Sequence, residues 1–383
     1  MAAKTTHFRV GNGDMTLFQF ESGATLLVDI NIRGAADDPE DDTPDVAQQL
    51  RKRLKRDWKG RLYVDAFLLT HPDQDHCRGL RTHFHLGAPG DWNKADDKIL
   101  IREMWSSPVV FRRACKSHTL CDDAQEWNAE ARRRVKSYRD SGFTNEGDRI
   151  KILGRDIDGK TDDLTAILVE VDTEFSQING SYDSSFSARL LAPLPASDED
   201  EEEALTKNDS STILNVSVKA NGLEGARYLI GGDAEVAIWE RVWSRNSHQA
   251  HVLEYDVLVA PHHCSWHSLS WDSWSDLGED AEVSEDARAA LCQARSGAKI
   301  IASSIPVLDD DVDPPCIRAK REYEAILKPQ KGKFHCISDG DGDEPSELEV
   351  TQGGVSLKKV AAAATYASAY RSSGVGAQPL PHG

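Results

Sequence analysis

Two histidines and two aspartates fall within six residues in the stretch Thr70-His71-Pro72-Asp73-Gln74-Asp75-His76. Burying so many nitrogen and oxygen donors together is costly unless positive charge sits among them. A divalent metal supplies that charge, so His71, Asp73, Asp75 and His76 read as ligands on one loop. The plainer alternative is a polar turn ahead of a helix, with Asp75 as its cap. Location favours the metal, because the preceding Val64-Asp65-Ala66-Phe67-Leu68-Leu69 has the length and composition of a buried strand. The carboxyl end of such a strand is where an α/β sheet places its chemistry.

Two more apolar runs end in donors of the same kind. Ala226-Arg227-Tyr228-Leu229-Ile230 stops at Gly231-Gly232-Asp233-Ala234-Glu235, and Tyr255-Asp256-Val257-Leu258-Val259-Ala260 stops at Pro261-His262-His263-Cys264-Ser265. Asp233 alone would read as a helix N-cap before Val236. Strand ends on one edge converge in space, however, so the three segments together predict a single site. A glycine before Asp233 permits close backbone approach to an ion.

The elements that must hold these residues follow from periodicity and turn chemistry. Phe8 to Phe20 reads as two strands joined by a glycine turn at Gly11 and Gly13, and Thr25-Leu26-Leu27-Val28-Asp29-Ile30 adds a third to an antiparallel meander. Val46, Leu50 and Leu54 predict a helix over 46–58. Cys77-Arg78-Gly79-Leu80 predicts a helix start after the loop. Strands are expected near 99–101 and 104–105, then a charged helix over 111–138 that Gly142 ends. Further strands are expected at 150–153, 165–171 and 187–193. A hairpin about Asn221-Gly222 should join 212–218 to 226–230, with a helix at 236–243 after it. Ser284 predicts a capped helix that Gly297 ends, followed by a last core strand at 299–304. The pattern amounts to an α/β protein with mixed sheets, one domain over 1–360 with a helical insertion near 97–150. Residues 361–383, rich in alanine, serine and glycine, predict a disordered tail.

These segments carry a family resemblance. The sequence resembles the metallo-β-lactamase superfamily, whose loop is H-x-H-x-D-H, and within it the ComEC-like hydrolases, where H-P-D-x-D-H is usual. Val10-Gly11-Asn12-Gly13-Asp14 is similar to that group's V-G-x-G-D turn, and Asp29 to its D-x-G strand end. Asn208-Asp209-Ser210-Ser211 resembles N-D-x-S, Gly232-Asp233-Ala234-Glu235 resembles G-D-x-E, and His262-His263-Cys264-Ser265 resembles H-H-G-S with cysteine in place of glycine. The matches run from residue 8 to about 270.

The resemblance implies an αββα sandwich with two divalent ions, zinc or manganese, at the sheet edge. It assigns His71 and Asp73 to a first ion, Asp75 and His76 to a second, and Asp233 to both. One of His262 and His263 completes the second ion, His263 being the expected ligand, and the other acts as proton donor or phosphate contact. Asp75 orients the nucleophile, while Asn208, Asp209, Ser211 and Ser265 meet substrate. The first ion is left short, because Ala192 stands where the superfamily often has another histidine; Asp209, water or substrate could fill the place. Asp73 in place of histidine shifts the donor set toward oxygen, which favours manganese more than an all-histidine set would.

Composition bounds the substrate. The chain has 383 residues and a formal net charge of −19, from 64 acidic against 45 basic residues. That balance repels nucleic acid on average, so a polyanion must be steered by a local basic patch or by the metals. Arg51 to Arg61 and Arg132-Arg133-Arg134 are the basic runs; 37–45 and 198–203 are acidic. No apolar run approaches the roughly 20 residues of a membrane span. The amino terminus lacks a signal-like apolar segment, so a cytoplasmic location is the expectation. Seven cysteines show no even framework and read as free thiols of a reducing compartment. Cys115, His118 and Cys121 lack the second pair a small zinc site needs.

Metal-dependent hydrolysis of a phosphodiester, first of all by a nuclease acting on DNA or RNA, is the leading expectation. A hydrolase of a small ester, lactone, amide or nucleotide is the second. A non-catalytic scaffold with a degenerate site, binding a protein partner through 97–150, is the third.

Overall fold

The computed structural model describes residues 2–358 apart from 39, 118, 196–204, 206–207 and 340–341; the side chains of 37, 115–117 and 209 also lie outside the description. The acidic run at 198–203 and the expected tail at 361–383 therefore fall outside the described residues.

Alternating side chains along the strands decide the layers. In Thr25–Val28, Leu26 and Val28 point one way and Leu27 the other, and in Leu62–Leu68 the same split separates Ala66 and Leu68 from Phe67. Both faces are buried, which is why these segments read as nearly continuous apolar runs. Among the described residues the first sheet has eleven strands. Its main path runs Leu168–Val169, Arg149–Leu153, Ile99–Ser106, Leu62–Leu68, Thr25–Val28, Thr16–Gln19, Ala3–His7, Ser346–Thr351 and Gly354–Leu357. Neighbours are parallel up to Thr25–Val28 and antiparallel beyond it. The second sheet has seven strands, antiparallel from Glu174–Phe175 through Phe186–Ala192 and Ile213–Ala220 to Leu223–Ile230, then parallel through Tyr255–Val259, Ala294–Ala302 and Lys333–Cys336.

One apolar cluster takes side chains from both sheets: Phe18, Phe20, Leu26, Leu68 and Trp105 from the first, Phe186, Leu190, Val216, Tyr228 and Val259 from the second. Phe20 stacks on Phe186 across the layer at 4.6 Å between centroids. The other face of the first sheet packs Phe67 edge-on against Trp127 of the helix Asp122–Ser141. The other face of the second is covered by Val236–Asn246, Glu285–Leu291 and Ile317–Leu327 through Trp239, Leu291 and Ile326.

The hairpin at 213–230 and the Ser284 cap are present as expected, the Ser284 hydroxyl accepting from the Ala287 N–H at 3.2 Å; the early meander forms too, but its first strand is Ala3–His7, ahead of the expected Phe8 to Phe20. Several boundaries differ. The helix expected over 46–58 stops at Arg51, and Lys55–Arg56 instead pairs with Tyr63 and Leu62. The Asp57 carboxylate accepts the N–H groups of Lys59 and Arg61, and Gly60 takes φ +80°, which turns the chain there. The stretch 111–138 is two helices, Pro108–Ser117 and Asp122–Ser141, the second ended by Gly142 as expected. Around the loop at 70–76 the helical turn is Gln74–Cys77, and Gly79 at φ +93° separates it from Leu80–His83. Gly297 does not end a helix but lies in a bulged strand at φ +75°. Three strands and a helix follow the strand expected to be last, and Ser346–Thr351 pairs with Ala3–His7. The segment 97–150 contributes the inner strand Ile99–Ser106 as well as two helices, so it is not a purely helical insertion.

His7 ties acid stability to this arrangement. It is buried where the first two strands meet, with Thr5 and Thr16 hydroxyls 3.3 and 3.1 Å from its ring nitrogens. Burial, with His335 nearby, lowers its pKa from 6.5 to about 3. The unfolded chain thus takes up this proton first as pH falls. The stabilisation is complete above pH 6.5 and drains away towards pH 3, by about 1.4 kcal/mol per pH unit. Urea unfolding of wild type and His7→Gln between pH 7 and 4 should show the flatter pH dependence in the variant. Equal slopes would contradict this assignment.

Candidate metal centre

Asp29 holds the loop in place. It follows Thr25–Val28 at φ +52°, a left-handed conformation that aspartate tolerates better than most residues. Its carboxylate accepts the Thr70 N–H at 2.7 Å and the Thr70 hydroxyl at 2.6 Å. The same carboxylate lies 2.9 Å from His76 Nδ1. His76 is thereby oriented with Nε2 facing forward, the arrangement a metal-ligating imidazole needs from its second partner. Across the loop Gly13, at φ +143°, abuts the Asp75 carbonyl; a Cβ there would sit 2.7 Å from that oxygen.

The other segments are tied to the loop through their backbones. The Thr212 N–H donates to Thr70 O at 2.9 Å, and the His262 N–H donates to Gly232 O at 3.0 Å. Gly232 has φ +50°, and a Cβ on it would meet Thr70 Oγ1 at 2.7 Å. The glycine before Asp233 thus serves packing against Thr70 and Ser211, where the sequence suggested approach to an ion. His262, His263 and Cys264 follow at φ +50°, +53° and +74°. Three consecutive non-glycine residues in that region cost roughly 1–2 kcal/mol each and persist only where the surroundings enforce them. The turn aims both imidazoles back at Asp233.

Asp233 is the meeting point. It is 2% exposed. Its Oδ2 lies 3.3 Å from His71 Nε2 and 3.7 Å from His262 Nε2, and Asp73 Oδ2 lies 3.7 Å from His71 Nε2. Its Oδ1 lies 3.0 Å from His76 Nε2 and 3.5 Å from His263 Nε2. His76 Nε2 and His263 Nε2 are 3.3 Å apart, and Asp75 Oδ2 is 3.2 Å from His263 Nε2. Donors at ~2.0–2.1 Å from a tetrahedral ion stand about 3.3–3.4 Å from one another, so these spacings are those of a ligand shell. Asp14 closes the far side, its Oδ1 4.0 Å from His263 Nδ1.

A set of imidazolium–carboxylate pairs is the competing account, and several orphaned atoms weigh against it. Buried His71 Nε2, Asp233 Oδ1, Asp14 Oδ1 and His263 Nδ1 make no hydrogen bond of good geometry, although the Asp233 oxygens lie within ion-pair reach of His71 and His76. Buried polar atoms are rarely left so. The buried histidines and aspartates thus form a cluster that could hold a metal ion.

The ionisable groups of the cluster act strongly on one another. Burial opposes the charge on Asp233, but His76, His263, His71 and His262 overcome it and hold its carboxyl well below the usual range. Burial likewise opposes charge on His76, which Asp233 and Asp29 raise well above 6.5; His263 is raised in the same way by Asp233 and Asp75. Asp75 is partly exposed, and its hydrogen bond to His263 outweighs burial to keep it ionised. Burial pushes Asp14 up to about 6.

All of His71, Asp73, Asp75, His76, Asp233, His262 and His263 come together. The residues expected to meet substrate have other contacts. The Ser211 hydroxyl accepts the Asp233 N–H at 3.2 Å, the Ser265 hydroxyl accepts the His267 N–H at 3.1 Å, and both residues are fully buried. Asn208 Nδ2 donates to Glu235 Oε1 at 2.8 Å. The Asp209 side chain falls outside the description. Asp14 and Asp29 were visible in the sequence only as turn and strand-end residues, and their place in the site comes from contacts across the fold. No model of a known protein family matches the chain, and no curated protein matches it.

Asp29→Asn keeps the shape of the clamp and removes its charge. Competition with a chromogenic chelator should find zinc bound about 10–100-fold more weakly than by wild type. Unchanged affinity would remove Asp29 from the metal centre.

Proposed function

We propose that the chain is a metal-dependent hydrolase of the metallo-β-lactamase kind, cleaving phosphodiesters with two divalent ions held on either side of Asp233. One observation carries this reading: the two oxygens of Asp233 face two separate donor sets. Oδ2 faces His71 and His262, with Asp73 beside them, and Oδ1 faces His76 and His263, with Asp75 beside them. His263 thus belongs with His76, and His262 supplies the donor that Ala192 fails to give the first set. Two sheets with a shared core and helices on their outer faces support an αββα sandwich. The mixed imidazole and carboxylate set suits zinc or manganese.

Paired ions of this kind acidify water and neutralise charge developing on a phosphate. The chain's own residues do the rest. His71, Asp73, His76, Asp233, His262 and His263 fix the donor geometry. The Asp75 carboxylate, ionised and one-third exposed, accepts the hydrogen bond that orients the attacking water. Glu235 Oε1 lies 3.7 Å from His262 Nδ1, near enough for its charge to act on that ring but beyond hydrogen-bond reach.

A specific observation favours a second reading, hydrolysis of a small ester, lactone, amide or nucleotide. The net charge is −19, and Asp313, at the end of the acidic stretch Asp309 to Asp313, lies against the loop that follows His263, its carboxylate accepting the Trp266 N–H at 3.2 Å. Zinc- or manganese-loaded protein should hydrolyse bis(p-nitrophenyl) phosphate and cleave single- or double-stranded nucleic acid, and Asp233→Asn should lower either rate at least ~100-fold. Cleavage of nucleic acid should fall steeply between 50 and 200 mM salt, on the order of ten-fold or more. Loaded protein inert to every phosphodiester but active on a neutral ester, with no salt dependence, would transfer the assignment to the second reading.

A further inference from the structure

Six cysteines of the chain are described as free thiols, and two of them meet: Cys77 Sγ lies 3.5 Å from Cys121 Sγ. They are 44 residues apart, so the fold makes the contact. Cys77 closes the Gln74–Cys77 turn that carries Asp75 and His76, and Cys121 is the extended residue just before Asp122–Ser141. Asp123 holds the two elements together by accepting the Gly79 and Arg81 N–H groups, each at 3.0 Å. Cys77 is buried and Cys121 partly exposed. The single Cys77 thiol proton has two acceptors within reach, Cys121 Sγ and the Asp73 carbonyl oxygen at 3.1 Å. Either sulfur can donate across this contact; the contact with Cys77 brings the pKa of the Cys121 thiol down to about 6 against the opposing effect of burial, so the sulfur of the partly exposed residue is the nucleophilic one.

Two touching thiols can be mere core packing. Here one is reachable from solvent, and the other sits directly behind two metal-type donors. We propose that Cys77 and Cys121 form a reversible disulfide on exposure to a peroxide, and that this cross-link weakens metal binding at the neighbouring centre. The second half rests on the metal-centre reading given above.

The chemistry balances with hydrogen peroxide as oxidant. The Cys121 thiolate attacks one peroxide oxygen, the O–O bond breaks, and the departing hydroxide takes a proton to become water, leaving a sulfenic acid on Cys121. Cys77 then attacks that sulfur. The S–S bond forms, the S–O bond breaks, and the leaving hydroxide carries off the Cys77 proton as a second water. A disulfide holds its sulfurs at ~2.05 Å, so the pair must close by about 1.5 Å. Cys77 also loses the proton it can offer to Asp73 O. Asp73, Asp75 and His76 all ride on this turn, while metal ligation tolerates only about 0.2 Å of misplacement.

The test is peptide mapping of the full chain after peroxide treatment and alkylation without reduction, paired with zinc competition on the same samples. The expected result is a Cys77–Cys121 linked peptide two hydrogens lighter than its parts, reversed by dithiothreitol, with exposed Cys292 still alkylated. Zinc affinity should fall about tenfold on oxidation. Cys121→Ser should bind zinc as wild type does and show no response to peroxide. Recovery of Cys121 as a sulfinic acid with Cys77 unlinked would overturn the cross-link. A cross-link that leaves zinc affinity unchanged would overturn its coupling to the site. Failure of the reduced protein to bind zinc at all would instead count against the metal centre, leaving the mapping result to judge the disulfide alone.

Discussion

A carboxylate cannot remain ionised in a protein interior without positive charge or hydrogen bonds around it, and Asp233 is buried. The surrounding structure answers that constraint. Four imidazoles converge on it from two loops, and the one at residues 262–264 is held in a backbone conformation that few residues adopt willingly. Strain at residues 262–264 and close packing at Gly13 and Gly232 are costs borne elsewhere in the fold. The cores above, between and below the sheets are extensive enough to hold such a site in one arrangement.

The fold brings the donors together by aligning strand ends from different sheets. Leu62–Leu68 belongs to the first sheet, whereas Leu223–Ile230 and Tyr255–Val259 belong to the second. Hydrogen bonds from Thr212 to Thr70 and from His262 to Gly232 fix the offset between these ends. Asp29 adds orientation by using one carboxylate both to anchor Thr70 and to set the His76 ring. Position and orientation are thus set by residues that need not touch a metal themselves.

The sequence made the donors legible because their types and spacing are improbable as solvated turns. It also exposed the strands, since two-sided burial leaves apolar runs. What it left open depends on geometry that periodicity does not encode. The partition of His262 and His263 between two donor sets follows from left-handed backbone angles at non-glycine residues, which no local propensity favours. Asp14 and Asp29 enter through contacts far along the chain. The basic run after Arg51 shows helical spacing, yet Asp57 and Gly60 turn it into a hairpin edge. Gly297 looks like a helix stop and is instead a strand bulge, because pairing with Tyr255–Val259 overrides the local signal.

The central claim is that Asp233 stands between two ions, and its most direct test is anomalous diffraction from crystals grown with manganese. The account predicts two anomalous peaks ~3.5–4 Å apart. One should lie among His71, Asp73 and His262 and the other among Asp75, His76 and His263, with a different Asp233 oxygen turned to each. A single peak, or peaks that leave Asp233 out of the shell, would contradict it.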